Sequence, residues 1–265
     1  CDWSRERFTM DEGLSKAVLK VFITLYNEGL IYKDKRLVNW DPKLLTAISD
    51  LEVMQVEVRG HLWHIKYPIE GSDEVIIVAT TRPETMLGDT AVAVHPENEK
   101  LKHLIGRNAI LPLVGRRIPI VGDDYADPEK GTGAVKITPA HDFNDFEVGK
   151  RHNLPHVRVI DDTAKMTAAA GAYAGMDRFE ARKQILADLE AQGLLAGTKP
   201  HNLPVSLCQR CRTVVEPLVS KQWFVKMGPL AERAVKETRA GRLHFHPDRW
   251  GKVYEHWLDN VRDWC

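Results

Sequence analysis

GTGAVKITPAHDFNDFEVG, residues 131–149, is the most informative stretch of this chain. Gly131-Thr132-Gly133 makes a flexible entry. Ala134, Val135 and Ile137 then form an apolar run with Lys136 and Thr138 interleaved, which reads as a strand. Pro139 stops it. Asp142 is a good N-cap, and Asp145 falls in the first turn of the helix that should follow. Positions three apart share a helix face, so the two carboxylates are expected to project together. A strand end and a helix start would then present one amine, one hydroxyl and two acids to a shared space suited to a small polar cation. The plain alternative is a helix N-terminus stabilised by acids, worth about half a kcal/mol each. His141 reads as structural, because no Cys or Ser has an obvious pairing with it.

A second polar stretch is TTRPET, residues 80–85, which ends the apolar run EVIIVA. Thr80, Thr81 and Thr85 offer hydroxyls, and Arg82 offers a rigid fork for oxyanions. An Arg–Glu ion pair at a polar strand end is the simpler reading. A third is Cys208-x-x-Cys211, which can hold half a zinc site. A closed site needs four ligands and there is no second Cys pair, so zinc is not expected; Asp41 or a His would have to complete it.

The rest of the chain sets bounds. The 265 residues carry 37 Lys and Arg against 37 Asp and Glu, so no global field draws the chain to nucleic acid or membranes. No apolar run is long enough to span a bilayer, and no signal-peptide pattern opens the chain. Four cysteines suit a reducing cytoplasm. With Cys1 first and Cys265 last, the chain reads as a piece of a longer protein. Thr9 and Glu12 suggest a capping box before a helix that stops at Gly29. Met54, Val56 and Val58 alternate as a strand, and Gly60 is expected to turn it into a second one. A strand is expected over residues 157–160 and a helix after Asp177. Residues 208–227 read as a hairpin, followed by helices over 229–238 and 251–264. Trp250, Trp257 and Trp264, seven apart, read as a packing stripe. The phosphate loop GxxxxGK(S/T) and the motifs GxSxG and HExxH are absent, so an enzyme here would use a positioned water.

TTRPETMLGDTAVAVHP and GTGAVKITPAHDFNDFEVG together resemble the editing domain of the class I aminoacyl-tRNA synthetases for valine, isoleucine and leucine. The flanks CDWSRERFTMDEGLS, RLVNWDPKLLTAISDLEV and VEPLVSKQWFVKM are most similar to the valyl branch, of bacterial type. The resemblance covers essentially the whole chain. It implies an α+β fold: a β-rich, barrel-like editing core over residues 57–203, surrounded by helices. A connecting stalk would come from both ends, residues 1–56 and 204–265. Relatives can carry zinc in the stalk knuckle, but Asp41-Pro42-Lys43 stands where a first Cys pair is expected. HIGH and KMSKS, the synthetic-site signatures that go with ATP, are absent.

Threonine and valine are near-isosteres, and this pair is itself the standard illustration of how poorly an apolar pocket rejects an added hydroxyl. A second pocket must therefore read the hydroxyl. By resemblance, Asp145, Asp142 and Lys136 are the catalytic candidates. Thr80, Thr81, Arg82, Thr85, Thr138 and His141 line the substrate side. The implied partners are the 3′ end of tRNA(Val) carrying threonine and the catalytic domain of the parent synthetase. A docking module that grips the tRNA end without hydrolysis, or an isoleucyl editing domain, are the other readings.

Overall fold

The computed structural model describes all 265 residues, which divide into two compact units. The smaller consists of both chain ends, residues 1–35 and 221–265, and the larger of residues 36–220. The elements in chain order are α1 (Glu12–Asn27), β1 (Ile31–Asp41), β2 (Thr46–Ile48), β3 (Val53–Pro68), β4 (Val75–Thr80) and β5 (Ala91–Val94). Then come β6 (Asn108–Ile110), β7 (Arg117–Gly122), β8 (Ala134–Ile137), α2 (Phe143–Arg151) and α3 (Arg178–Ala191). The chain closes with β9 (Leu195–Cys208), β10 (Glu216–Val225), α4 (Gly228–Arg239) and α5 (Arg249–Asp259).

The strands form three sheets, ordered β10-β1-β2, β4-β3-β9 and β6-β7-β5-β8. The expected α+β mixture is present. The sheets do not close into a barrel: the second and third are joined by an isolated bridge, Ile69 to Ala109. Apolar side chains such as Ile65, Tyr67, Ile76, Val78, Val92 and Ile120 fill one large core between them and α3. A smaller cluster of Ala91, Ala93, Ile137 and Val148 lies on the other face of β5 and β8, under α2.

β3 runs straight through Gly60, which is no turn. Gly60 pairs with His201 in a long antiparallel ladder with β9, and a Cβ there would meet Leu203 Cδ2 at 2.4 Å. Glycine serves close packing at that point. The same ladder crosses the boundaries at 56/57 and 203/204 without a break, from Val53–Cys208 to Ile65–Leu195.

In the smaller unit, Asp11 caps α1 by accepting the Leu14 N–H at 2.8 Å, in place of the Thr9 box. Gly29, at φ 72°, ends that helix as expected. α5 stops at Asp259, and the Trp264 backbone pairs instead with Val225. The three tryptophans therefore share no helix face, and each is at least half exposed. No helix is long and apolar enough to cross a membrane.

Candidate active site

β8 pairs antiparallel with β5, setting Val92 opposite Lys136 and Ala91 opposite Ile137. Alternation sends Ile137 into the small cluster beneath α2. It sends Lys136 to the opposite face, with Ala134 and Val92, toward the main core. An ammonium there needs a partner, and Asp89 supplies it: Lys136 Nζ lies 3.2 Å from Asp89 Oδ1. Burial works against the lysine's charge, but Asp89, Asp145 and Asp142 more than offset it, so its pKa is held above the ordinary value. Lys136 is 9% exposed.

After Pro139 the chain turns, with His141 N–H donating to Thr138 O at 3.0 Å. Asp142 caps α2, its Oδ1 accepting from Asn144 N at 2.8 Å and Asp145 N at 3.0 Å. The side chain of Asp142 is exposed. Asp145 turns inward instead, and its Oδ2 accepts the Thr138 N–H at 2.8 Å. The two acids thus do not project alike, because one is used as the cap. Burial pushes the Asp145 carboxyl up to about 7, with Asp142 and Asp89 adding to the shift and Lys136 opposing it. Tyr125 is 38% exposed. Its phenol is pushed up to about 12 by burial and by the nearby charges of Asp145 and Asp142.

Arg82 lies beside this junction. Its Nη1 donates to the His141 carbonyl at 3.3 Å, and its Nε faces Glu84 at 3.3 Å. Its Nη2 pairs with Glu216, from β10. Glu216 also pairs with Arg178, and Glu84 takes a two-pronged contact from Arg182 at 2.7 and 2.8 Å. Both glutamates are buried, while the Arg82 side chain keeps 27% of its surface in solvent. Three guanidinium groups against two carboxylates leave one positive charge over.

The resemblance implies substrate-facing roles for Thr80, Thr85, Thr138 and His141, but the structure gives each an internal partner. Thr80 Oγ1 accepts from Arg82 N at 3.0 Å, and Thr85 Oγ1 donates to Arg82 O at 3.0 Å, so the two hydroxyls brace the Arg82 backbone. Thr138 Oγ1 donates to Asp89. His141 is 2% exposed, and its Nε2 accepts the Val159 N–H at 2.9 Å, which leaves the ring proton on Nδ1. Burial and the Arg82 charge lower its pKa to about 3, so the ring is neutral. Residues 157–159 form no strand; the Val159 N–H serves this turn instead. Thr81 is half-buried. Asp142, Thr81, Arg82 and Tyr125 therefore keep surface in solvent, while Lys136, Thr138 and Asp145 are buried. A shallow depression lined by Lys150, Asn153, Leu154 and His156 lies at the far end of α2 and contains none of these residues.

Sequence reading missed Asp89, Glu216, Arg178 and Arg182. Asp89 stands next to the fully apolar strand Ala91–Val94, and an acid in such a run is the signature of a buried, paired carboxylate. The partners of the arginines are up to 134 residues away in sequence, and no local pattern reveals them.

In the knuckle, Asp41, Cys208 and Cys211 bring ligand atoms within 4.8 Å of one another. Cys211 Sγ–H donates to Asp41 Oδ2 at 2.8 Å, and Asp41 Oδ1 accepts the Lys43 and Leu44 N–H groups. Burial and the neighbouring Asp41 push the Cys208 thiol up. Three donors, one already used by backbone, do not fit a closed zinc site.

The family model described as tRNA synthetases class I (I, L, M and V) matches residues 1–265. The chain belongs to the class I tRNA synthetases. Among curated relatives of this synthetase family, it is 59% identical to the valine–tRNA ligase of Nitrobacter winogradskyi, over 100% of this chain and 30% of that one. It is 57% identical to that of Syntrophotalea carbinolica, with the same two coverages. This synthetase chain therefore spans about 30% of the length of the relatives it matches. A solved ternary complex of Agrobacterium radiobacter K84 LeuRS with tRNA and LeuAMS aligns with a TM-score of 0.42 and 20% identity, covering 82% of this chain and 37% of that one, too loose a likeness to bear on the site.

Proposed function

We propose that this chain carries the post-transfer editing activity of a valyl-tRNA synthetase, hydrolysing the ester of threonyl-tRNA(Val) in the cytoplasm. The observation that carries this reading is the junction between β8 and α2. There Asp145 is bound to the Thr138 backbone, Asp142 faces solvent three residues away, and Arg82 is tied to the same turn through the His141 carbonyl. Asp145 receives the α-ammonium of the threonyl group, and that cation draws its carboxyl into the charged form. Asp142 and Thr81 read the side-chain hydroxyl. A valyl group leaves those polar atoms without partners, and that penalty protects the correct product. A water attacks the carbonyl carbon, the bond to the ribose oxygen breaks, and the proton lost by the water passes to that departing oxygen, giving free threonine and the ribose hydroxyl. The excess positive charge of the arginine cluster steadies the developing oxyanion. Lys136, Thr138 and His141 support these groups from beneath.

The burial of Lys136 and Thr138, already satisfied by Asp89, favours a second reading in which the pocket grips the tRNA end without hydrolysis. Calorimetry with a non-hydrolysable threonyl-adenosine analogue and its valyl counterpart tests the pocket. Preferential binding of the threonyl compound, lost in Asp145→Asn, is expected; equal binding of both rejects hydroxyl reading. Release of threonine from threonyl-tRNA(Val) then separates editing from docking.

A further inference from the structure

We propose that Asp89 is the positioning residue of this site: its buried carboxylate fixes the Lys136 ammonium and the Thr138 hydroxyl where they support Asp145. The proposal rests on the editing reading above. Asp89 follows the 3-10 segment Pro83–Gly88, which continues from the threonine-rich strip 80–85, and leads into β5. It is 0% exposed. Its Oδ2 accepts the Tyr67 hydroxyl of β3 at 2.6 Å, and its Oδ1 accepts from Lys136 and Thr138. Its backbone oxygen accepts from Arg116 Nη2 at 2.9 Å, and the same nitrogen reaches Leu87 O at 2.7 Å. The loop before β5, β3, the turn before β7, and β8 with its following turn thus meet on one residue.

All the carboxylate's neighbours are donors, so it is held as an acceptor. Asp89 meets no solvent and therefore touches no substrate; it acts through Lys136 and Thr138. A buried ionic hub is weak as a source of stability, since apolar groups of similar volume commonly do as well. Orientation accounts better for a carboxylate here. Thr138 is the link: its hydroxyl donates to Asp89 while its backbone N–H donates to Asp145. A shift of Thr138 is passed directly to Asp145. The charged and titratable groups facing Asp145 are Lys136 from β8, Asp142 from the cap, Asp89 and Tyr125. Those facing Asp89 are Asp145, Tyr67, Lys136 and Arg116.

Asp89→Asn in the intact protein tests this with two readouts, hydrolysis of threonyl-tRNA(Val) and carboxyl ¹³C NMR titration of Asp145. Loosened positioning should lower kcat on the order of 10–100-fold with KM held within about twofold. Losing one negative neighbour should move the Asp145 midpoint toward acid. A folded variant with unchanged kcat overturns the proposal, and so does a lower kcat with an unmoved midpoint, which marks a merely structural part. If the wild-type protein hydrolyses nothing, the editing reading fails, and the NMR arm alone decides Asp89: a moved midpoint supports its role and an unmoved one ends it. Should Asp89→Asn not fold, Tyr67→Phe removes one donor while keeping the ring; a several-fold loss in kcat is then expected, and an unchanged kcat overturns the assignment.

Discussion

Asp145 and Thr138 are seven residues apart, and the carboxylate of the first accepts the backbone N–H of the second at 2.8 Å. That single bond joins the first turn of α2 to the end of β8. It places an acid of near-neutral pKa at the floor of a polar junction, and the chemical behaviour of the site follows from it.

The pH dependence comes first. Asp145 binds an ammonium only when ionised, and its carboxyl sits at about 7. Threonyl-tRNA(Val) hydrolysis, read as kcat/KM, should therefore rise between pH 6 and 8 and level off above. Stability runs the other way. A folded-state pKa raised above the unfolded 3.8 means that the folded protein keeps a proton the unfolded chain has released. The contribution is complete below about pH 4 and is lost as pH rises through about 7. Asp145→Asn should thus abolish the rising limb of activity, yet leave urea stability at pH 8 unchanged or higher by about 1–3 kcal/mol. A large loss of stability at pH 8 would reverse this assignment of its burial cost.

Asp142 caps α2 with an exposed carboxylate. Asp142→Ala should cost about 1 kcal/mol in denaturant unfolding, the usual loss for a cap. It should also narrow the preference for threonyl over valyl ester. Asp142→Asn restores the cap, so a preference that stays narrow with Asn separates hydroxyl reading from capping.

Glu216 pairs with both Arg82 and Arg178, and the Arg178 side chain is almost wholly buried. Glu216→Ala strands that charge and should destabilise by about 3–5 kcal/mol. Breaking the half-exposed pair Arg239–Glu255 on α4 and α5 by Glu255→Ala should cost well under about 1 kcal/mol. Chemical denaturation of the two variants makes the comparison, and similar losses would contradict it.

The knuckle is held by the Cys211–Asp41 hydrogen bond and the packing of Ile48, Cys208 and Val215. Exhaustive chelation should leave the melting temperature unchanged to within about 1 °C, since removing a structural zinc would cost far more. A drop of several degrees, reversed by adding zinc, would show that a metal occupies this corner.

The legible parts of the sequence were those governed by local chemistry. Pro139 and Asp142 marked the passage from β8 to α2, and Asp177 marked the start of α3, because strand ends and caps depend on neighbours in sequence. Gly60 misled because a glycine inside a ladder, with the Leu203 side chain lying over it, looks in sequence like a glycine that makes a turn. The two acids were read as equivalent because helix spacing governs direction only inside a helix, and Asp142 lies outside it. The arginine cluster and Asp89 stayed hidden because their partners come from other strands. Thr80 and Thr85 shared the composition of a binding wall, but their hydroxyls satisfy the Arg82 backbone.

The most direct test of the central claim is the initial rate of amino-acid release from tRNA(Val) charged with threonine and, separately, with valine, using the intact protein at pH 8. The account predicts release of threonine at least about a hundredfold faster than of valine, with the threonine rate collapsing in Asp145→Asn. Equal rates for the two esters, or undiminished threonine release by that variant, would contradict it.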